Sequence, residues 1–144
     1  MRIVVDTNVI LSGLLWLGTP HELIKKIHSG QVELVMSPAL MDEFANTIKR
    51  PKFAAILART TRSSDQIVQQ LRVLADIVAA PPLPRQICRD ADDDAVLACA
   101  AASGAELIVS GDKDLLILGA FLGVRIVNAA EALRLVEDLE KRIL

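Results

Sequence analysis

Four short apolar runs, Arg2–Val5, Glu33–Met36, Leu107–Ser110 and Val124–Val127, are set apart by segments whose apolar residues recur at helical spacing. The first run does not alternate with polar residues, which predicts a central strand covered on both faces. Strands separated by helices pair in parallel through right-handed crossovers. The pattern therefore predicts the α/β class, with three α/β/α layers around a central, mainly parallel sheet. A chain of 144 residues has the size of one ordinary domain, so residues 1–144 are read as a single unit.

Helix signals punctuate the chain. Thr19-Pro20-His21-Glu22 reads as a capping box with Pro in the first turn, followed by Leu23, Ile24 and Ile27 before Gly30. Ser37-Pro38 opens a second helix carrying Leu40, Phe44, Ala45 and Ile48, which Pro51 ends or kinks. The polar stretch Thr60 to Ser64 separates a short helical piece from a longer helix starting near Asp65, with Ile67, Leu71, Leu74 and Val78 on its buried face. These two are expected to form a helical hairpin. Pro81, Pro82 and Pro84 mark a loop, a small-residue helix follows Asp90 and ends at Gly104, and Asn128 with Glu131 reads as the capping box of the last helix.

Composition excludes more than it assigns. Hydrophobic residues make up 52% of the chain, yet no apolar run is long enough to cross a bilayer. The start shows no charged leader with a cleavage site, so a cytoplasmic location without membrane attachment is expected. Cys88 and Cys99 have no metal-ligand spacing and are read as reduced and structural. A net charge of −2 gives no global basic footprint for nucleic acid. The aromatics are Trp16, Phe44, Phe53 and Phe121, too few for a base-stacking platform.

Local chemistry is more informative. Asp6 leaves the first strand and Asp112 a later one, and ligand sites in such sheets lie beyond the carboxyl ends of the strands. Glu43 and Asp94 each lie near a helix start and are expected to project toward the same crevice. Carboxylates gathered in one place repel one another unless a cation neutralises them. Oxygen ligands select hard ions such as Mg²⁺ or Mn²⁺, and such ions promote phosphodiester hydrolysis. Taken singly, each acid has a plainer reading: Asp6 as a helix cap, Asp92 and Asp93 as complements of a helix dipole, Asp112 and Asp114 as turn residues around Gly111. His21 and His28 receive no catalytic role.

The segment Val4-Val5-Asp6-Thr7-Asn8-Val9-Ile10-Leu11-Ser12 resembles the opening of PIN-domain proteins. Met36-Ser37-Pro38 through Glu43-Phe44, Asp92-Asp93-Asp94-Ala95-Val96-Leu97-Ala98 and Val109-Ser110-Gly111-Asp112-Lys113-Asp114-Leu115 resemble the later segments in matching order, and Arg50-Pro51-Lys52-Phe53 is similar to a stretch in bacterial and archaeal toxin members. The resemblance implies a PIN-like fold and a Mg²⁺- or Mn²⁺-dependent endoribonuclease. In that reading Asp6, Glu43, Asp94 and Asp112 are the catalytic metal-binding acids. Asn8 and Ser110 hydrogen-bond the carboxylates or the water, and Asp114 assists. It also implies a homodimer, a toxin role and an antitoxin protein as partner.

RNA meets an acidic crevice only where cations offset its phosphates, and Arg50, Lys52, Arg89 and Lys113 lie in or near the motif segments. Two alternatives compete. An aspartate-nucleophile phosphohydrolase also opens on an Asp at the first strand end, but position 8, where its second acid belongs, is Asn. A partner-binding module without turnover would use the apolar helices near Leu23 to Ile27 and Ile67 to Leu74 as its interface.

Overall fold

The computed structural model describes residues 1–143; Leu144, the last residue of the expected unit, lies outside the described residues. In chain order the elements are β1 (Arg2–Val5), α1 (Thr7–Leu15), α2 (Thr19–His28), β2 (Glu33–Met36), α3 (Pro38–Thr47), a 3₁₀ turn (Pro51–Phe53) and α4 (Ala54–Ala58). There follow α5 (Ser64–Leu74), β3 (Asp76–Ile77), α6 (Ala91–Ser103), β4 (Leu107–Val109), α7 (Lys113–Leu118), β5 (Ala120–Phe121), β6 (Val124–Val127) and α8 (Ala129–Ile143). The sheet runs β3-β2-β1-β4-β6-β5, parallel throughout except for the edge hairpin of β5 with β6. With helices on its faces this is a three-layer α/β/α arrangement around a mainly parallel sheet, as expected. None of the described helices is long and apolar enough to cross a membrane.

β1 lies inside the sheet because its last three residues are apolar: Ile3, Val4 and Val5 are at most 1% exposed. Leu34, Val35 and Met36 on one side and Ile108 and Val109 on the other continue the same buried layer. Helix α6 packs across β1, β2 and β4, where its small residues Ala98, Cys99 and Ala100 let it lie close to the sheet, and Gly104 in the left-handed region ends it. Cys88 and Cys99 are free and buried.

Helix α1 has no counterpart in the sequence reading. Val9, Ile10, Leu11 and Leu15 are all buried, and only Asn8 and Ser12 form a narrow polar stripe, so periodicity hardly distinguishes the segment from a strand. It packs tightly on α2 at Gly13, where a Cβ would lie 2.5 Å from Ile24 Cγ1 and 2.7 Å from the carbonyl oxygen of Pro20. His21 Nδ1 donates to the carbonyl of Gly13 at 2.9 Å, which gives this histidine a structural role.

Several local expectations are corrected. Thr19 is not a cap: it lies inside α2, whose N-cap is Gly18, and Glu22 pairs with Lys25. α5 is capped by a box formed from Ser63 and Gln66, and it packs on α3 rather than making a hairpin with α4. It ends at Leu74 because the chain then pairs with β2, and Val78 donates its backbone N–H to Met36 instead of extending the helical stripe. Asn128 does cap α8 through Glu131 N, while the Glu131 carboxylate turns to Arg134 and Arg125. Within the apolar stripes suggested as a partner surface, Leu23, Ile24, Ile27, Ile67 and Leu71 are each at most 3% exposed and serve the core, while Val73 stays exposed and Leu74 partly so.

Candidate functional site

At the carboxyl ends of β1 and β4 the ladder carries two polar residues side by side. Asp6 donates its backbone N–H to Val109 and Ser110 donates its own to Val127. Both side chains are buried there, Ser110 completely. Asp6 occupies the N-cap position of α1, yet its carboxylate makes no capping bond. It accepts instead from the Ser110 hydroxyl at 2.7 Å. The plain capping role therefore does not explain why the acid is there.

Ser110 Oγ also accepts the backbone N–H of Asp112 at 3.0 Å, which fixes the turn leaving β4. Asp112 caps α7, with Oδ1 accepting from the backbones of Asp114 and Leu115 at 2.8 and 3.2 Å. Its second oxygen is left for the crevice. Asp93 enters from α6, 6% exposed. One ligand oxygen from each of Asp93, Asp112 and Asp114 lies within 4.8 Å of the others.

The electrostatics show how closely the acids are coupled. Burial raises the pKa of Asp6 against the pull of the Ser110 hydroxyl, and the charge of Asp112 raises it further. Asp93 is pushed up to about 6, first by burial and then by the charges of Asp112 and Asp6. Glu43, half-buried on α3, is pushed up to about 7 by burial and by the charges of Asp92 and Asp6, with the Thr7 side chain opposing the shift. Asp6 thus feels the charge of Asp112, Asp93 feels Asp112 and Asp6, and Glu43 feels Asp92 and Asp6, although they come from separate elements.

Asp94 takes a different direction from the one expected. Its carboxylate accepts the backbone N–H groups of Ile87 at 3.1 Å and Cys88 at 2.7 Å, and it lines a neighbouring apolar groove. One residue along an α-helix turns a side chain by about 100°, so Asp93 and Asp94 leave α6 in different directions. The sequence carried a signal for this. Asp93 stands three, four and seven residues before Val96, Leu97 and Ala100, which are at most 2% exposed and mark the inward face.

The other expected residues divide in the same way. Asn8, Arg89, Lys113 and Asp114 line an open cleft of about 580 Å³ beside Asp6 and Asp112. Among the described residues the Asn8 side chain has no hydrogen bond to the acids, and Arg89 forks onto Asp114. Arg50 and Lys52 lie elsewhere: Arg50 precedes the 3₁₀ turn and the Lys52 ammonium stacks 5.1 Å from the Phe53 ring centre.

The donor set is all carboxylate, the chemistry that selects a hard divalent ion. An octahedral Mg²⁺ shell places opposite donors about 4.2 Å apart, a span close to that of the trio. The side chains present therefore fit such an ion, and a cation would offset the burial and neighbouring charge that raise the pKa of Asp93. No curated protein matches the chain, whereas the family model described as PIN domain matches residues 2–114, from β1 through Asp114. That span contains every acid of the crevice and most of the chain, so this protein belongs to the PIN-domain family.

Proposed function

We propose that the chain is a divalent-metal-dependent endoribonuclease acting at the crevice of Asp6, Glu43, Asp93 and Asp112. The supporting observation is the grouping of Asp6 and Asp112 with Asp93 at the strand ends of a PIN domain, where burial and neighbouring acid charges raise the pKa values of Asp6, Glu43 and Asp93. Asp93 and Asp112, assisted by Asp114, are the residues that would hold Mg²⁺ or Mn²⁺. When bound, such an ion polarises the phosphodiester and acidifies the attacking water.

The protein's own groups account for the remaining requirements. Asp6, gripped by Ser110, presents its free oxygen at a fixed position. Glu43 lies outside the tight trio and near neutrality, which suits it to accept a proton from water. Lys113 and Arg89 on the rim meet the negative charge of the strand entering the cleft. A toxin role, an antitoxin partner and homodimer formation belong to the same proposal and rest on the family resemblance, whereas a cytoplasmic location and a single unit over 1–144 rest on composition and chain length.

The test is cleavage of a mixed RNA pool with Mn²⁺, with chelator, and by Asp93→Asn. The expected result is chelator-sensitive cutting that falls at least about 100-fold in the variant while its fold is kept. Cutting that survives both chelator and Asp93→Asn would overturn the reading.

A further inference from the structure

Asp114 is held differently from its neighbours. Arg89 Nη2 donates to both of its oxygens, at 2.9 and 3.0 Å, and Nε donates to Oδ2 at 3.3 Å. Among the described residues neither Asp93 nor Asp112 has a cationic partner. Yet an Asp114 oxygen is also one of the three ligand atoms that lie within 4.8 Å of one another. A dication on that carboxylate and a guanidinium forked onto it bring two positive groups to the same pair of oxygens. Their mutual repulsion makes them competitors.

Arg89 is built to let go. Its backbone follows a segment pinned at Ile87 and Cys88 by the Asp94 carboxylate, and the Gln86 side chain donates to the carbonyl of Cys88 at 2.8 Å. The side chain itself is 87% exposed and lines the same cleft as Asp6 and Lys113. A fixed base with a long, solvated arm allows the guanidinium to swing without moving the chain. The planar fork that fits a carboxylate also fits a phosphate.

We propose that Arg89 and a divalent cation are alternative partners of Asp114, so that cation binding frees the Arg89 guanidinium for an RNA phosphate in the same cleft. The proposal rests on the nuclease reading for both ligands. It makes Arg89 a residue that couples metal binding to substrate binding and gives Asp94 the role of anchoring its base.

Titration with Mn²⁺ alone tests the competition without RNA or turnover. Arg89→Ala should bind Mn²⁺ about two- to five-fold more tightly than wild type, the range an exposed ion pair allows. Lys113→Ala removes equal charge from the same cleft, reports the generic electrostatic gain and should gain less. Asp114→Asn should bind more weakly. Equal gains in the two cation variants, or unchanged affinity in Asp114→Asn, would overturn the proposal. Arg89→Lys keeps the charge without the fork and should fall between wild type and Arg89→Ala, which serves if the alanine variant folds poorly.

The second arm measures binding of a short oligouridylate with Ca²⁺ and with chelator. With Ca²⁺, Arg89→Ala should weaken binding and make its salt dependence shallower by about one charge. With chelator, where Asp114 retains the guanidinium, the same variant should change affinity little. An equal loss in both conditions would leave Arg89 an ordinary surface charge and overturn the coupling. Wild-type protein that binds Mn²⁺ and cuts RNA, with Arg89→Ala tracking Lys113→Ala, sinks only this inference; wild type that does neither sinks the nuclease reading as well.

Discussion

The Ser110 hydroxyl and the Asp6 carboxylate meet 2.7 Å apart across adjacent strands, both buried, with the same hydroxyl oxygen receiving the backbone N–H of Asp112. One side chain thus orients an acid from each of two neighbouring strand ends. Ser110→Ala should remove a hydrogen bond to a charged group, worth about 1.5–3 kcal/mol, and raise the Asp6 pKa further, since the serine is what pulls it down. The expected outcome is a lower melting temperature together with weaker Mn²⁺ binding. Ser110→Thr, which keeps the hydroxyl, should retain more metal affinity than alanine. Equal affinities in the two variants would deny the hydroxyl this role.

Neighbouring acids on α6 should give opposite phenotypes. Asp93→Asn removes a repelling charge from the crevice, so the metal-free protein should be at least as stable as wild type while Mn²⁺ binding falls. Asp94→Asn cannot accept from Ile87 and Cys88 as strongly, so the segment around residues 81–90 should exchange its amides faster while Mn²⁺ affinity stays near wild type. Calorimetry and hydrogen exchange on the two variants read the contrast directly. If Asp94→Asn loses the metal and Asp93→Asn keeps it, the assignment of faces on α6 is reversed.

The four inner strands were legible in the sequence because they are short apolar runs bounded by turn residues, whereas the two-residue edge strands β3 and β5, which are not buried, left no such mark. What failed was rotational detail. The run Asp92-Asp93-Asp94 shows only that acids start α6, and the one cue to which faces inward is the spacing of Asp93 to Val96, Leu97 and Ala100. Helix α1 was hidden for the opposite reason, its polar stripe of Asn8 and Ser12 being too narrow to betray its period. The convergence of Asp6 with Ser110 and Asp112 follows from strand order, which a sequence supplies only through the rule that sites lie at the carboxyl ends of parallel strands.

Gly13 allows a prediction about the fold independent of the site. Its missing Cβ leaves room for Ile24 and for the carbonyl of Pro20, and rigid backbone cannot yield as a side-chain tip can. Gly13→Ala should destabilise the protein by about 1–3 kcal/mol through overpacking, despite the better helix propensity of alanine. Denaturant unfolding measures this. A neutral or stabilising result would mean that α1 and α2 do not approach as closely as described.

Stability should also depend on pH in an unusual direction. In the folded protein Glu43 holds its proton up to about 7 against an ordinary value of 4.5, and Asp93 up to about 6 against 3.8. Between the ordinary and raised values the folded state binds more protons than the unfolded one, so stability falls as pH rises through that window. These acids thus contribute fully below about pH 4, and their contribution is lost by about pH 7. Thermal unfolding in chelator should show that decline, and Glu43→Gln should flatten it. A divalent ion binds the ionised form and releases the retained protons, so Mn²⁺ should raise the melting temperature more near about pH 7.5 than near about pH 5. A melting temperature that climbs with pH across the window in chelator, or a Mn²⁺ shift equal at both values, would mean that the crevice does not store its acids protonated and that repulsion among them is not what a cation relieves.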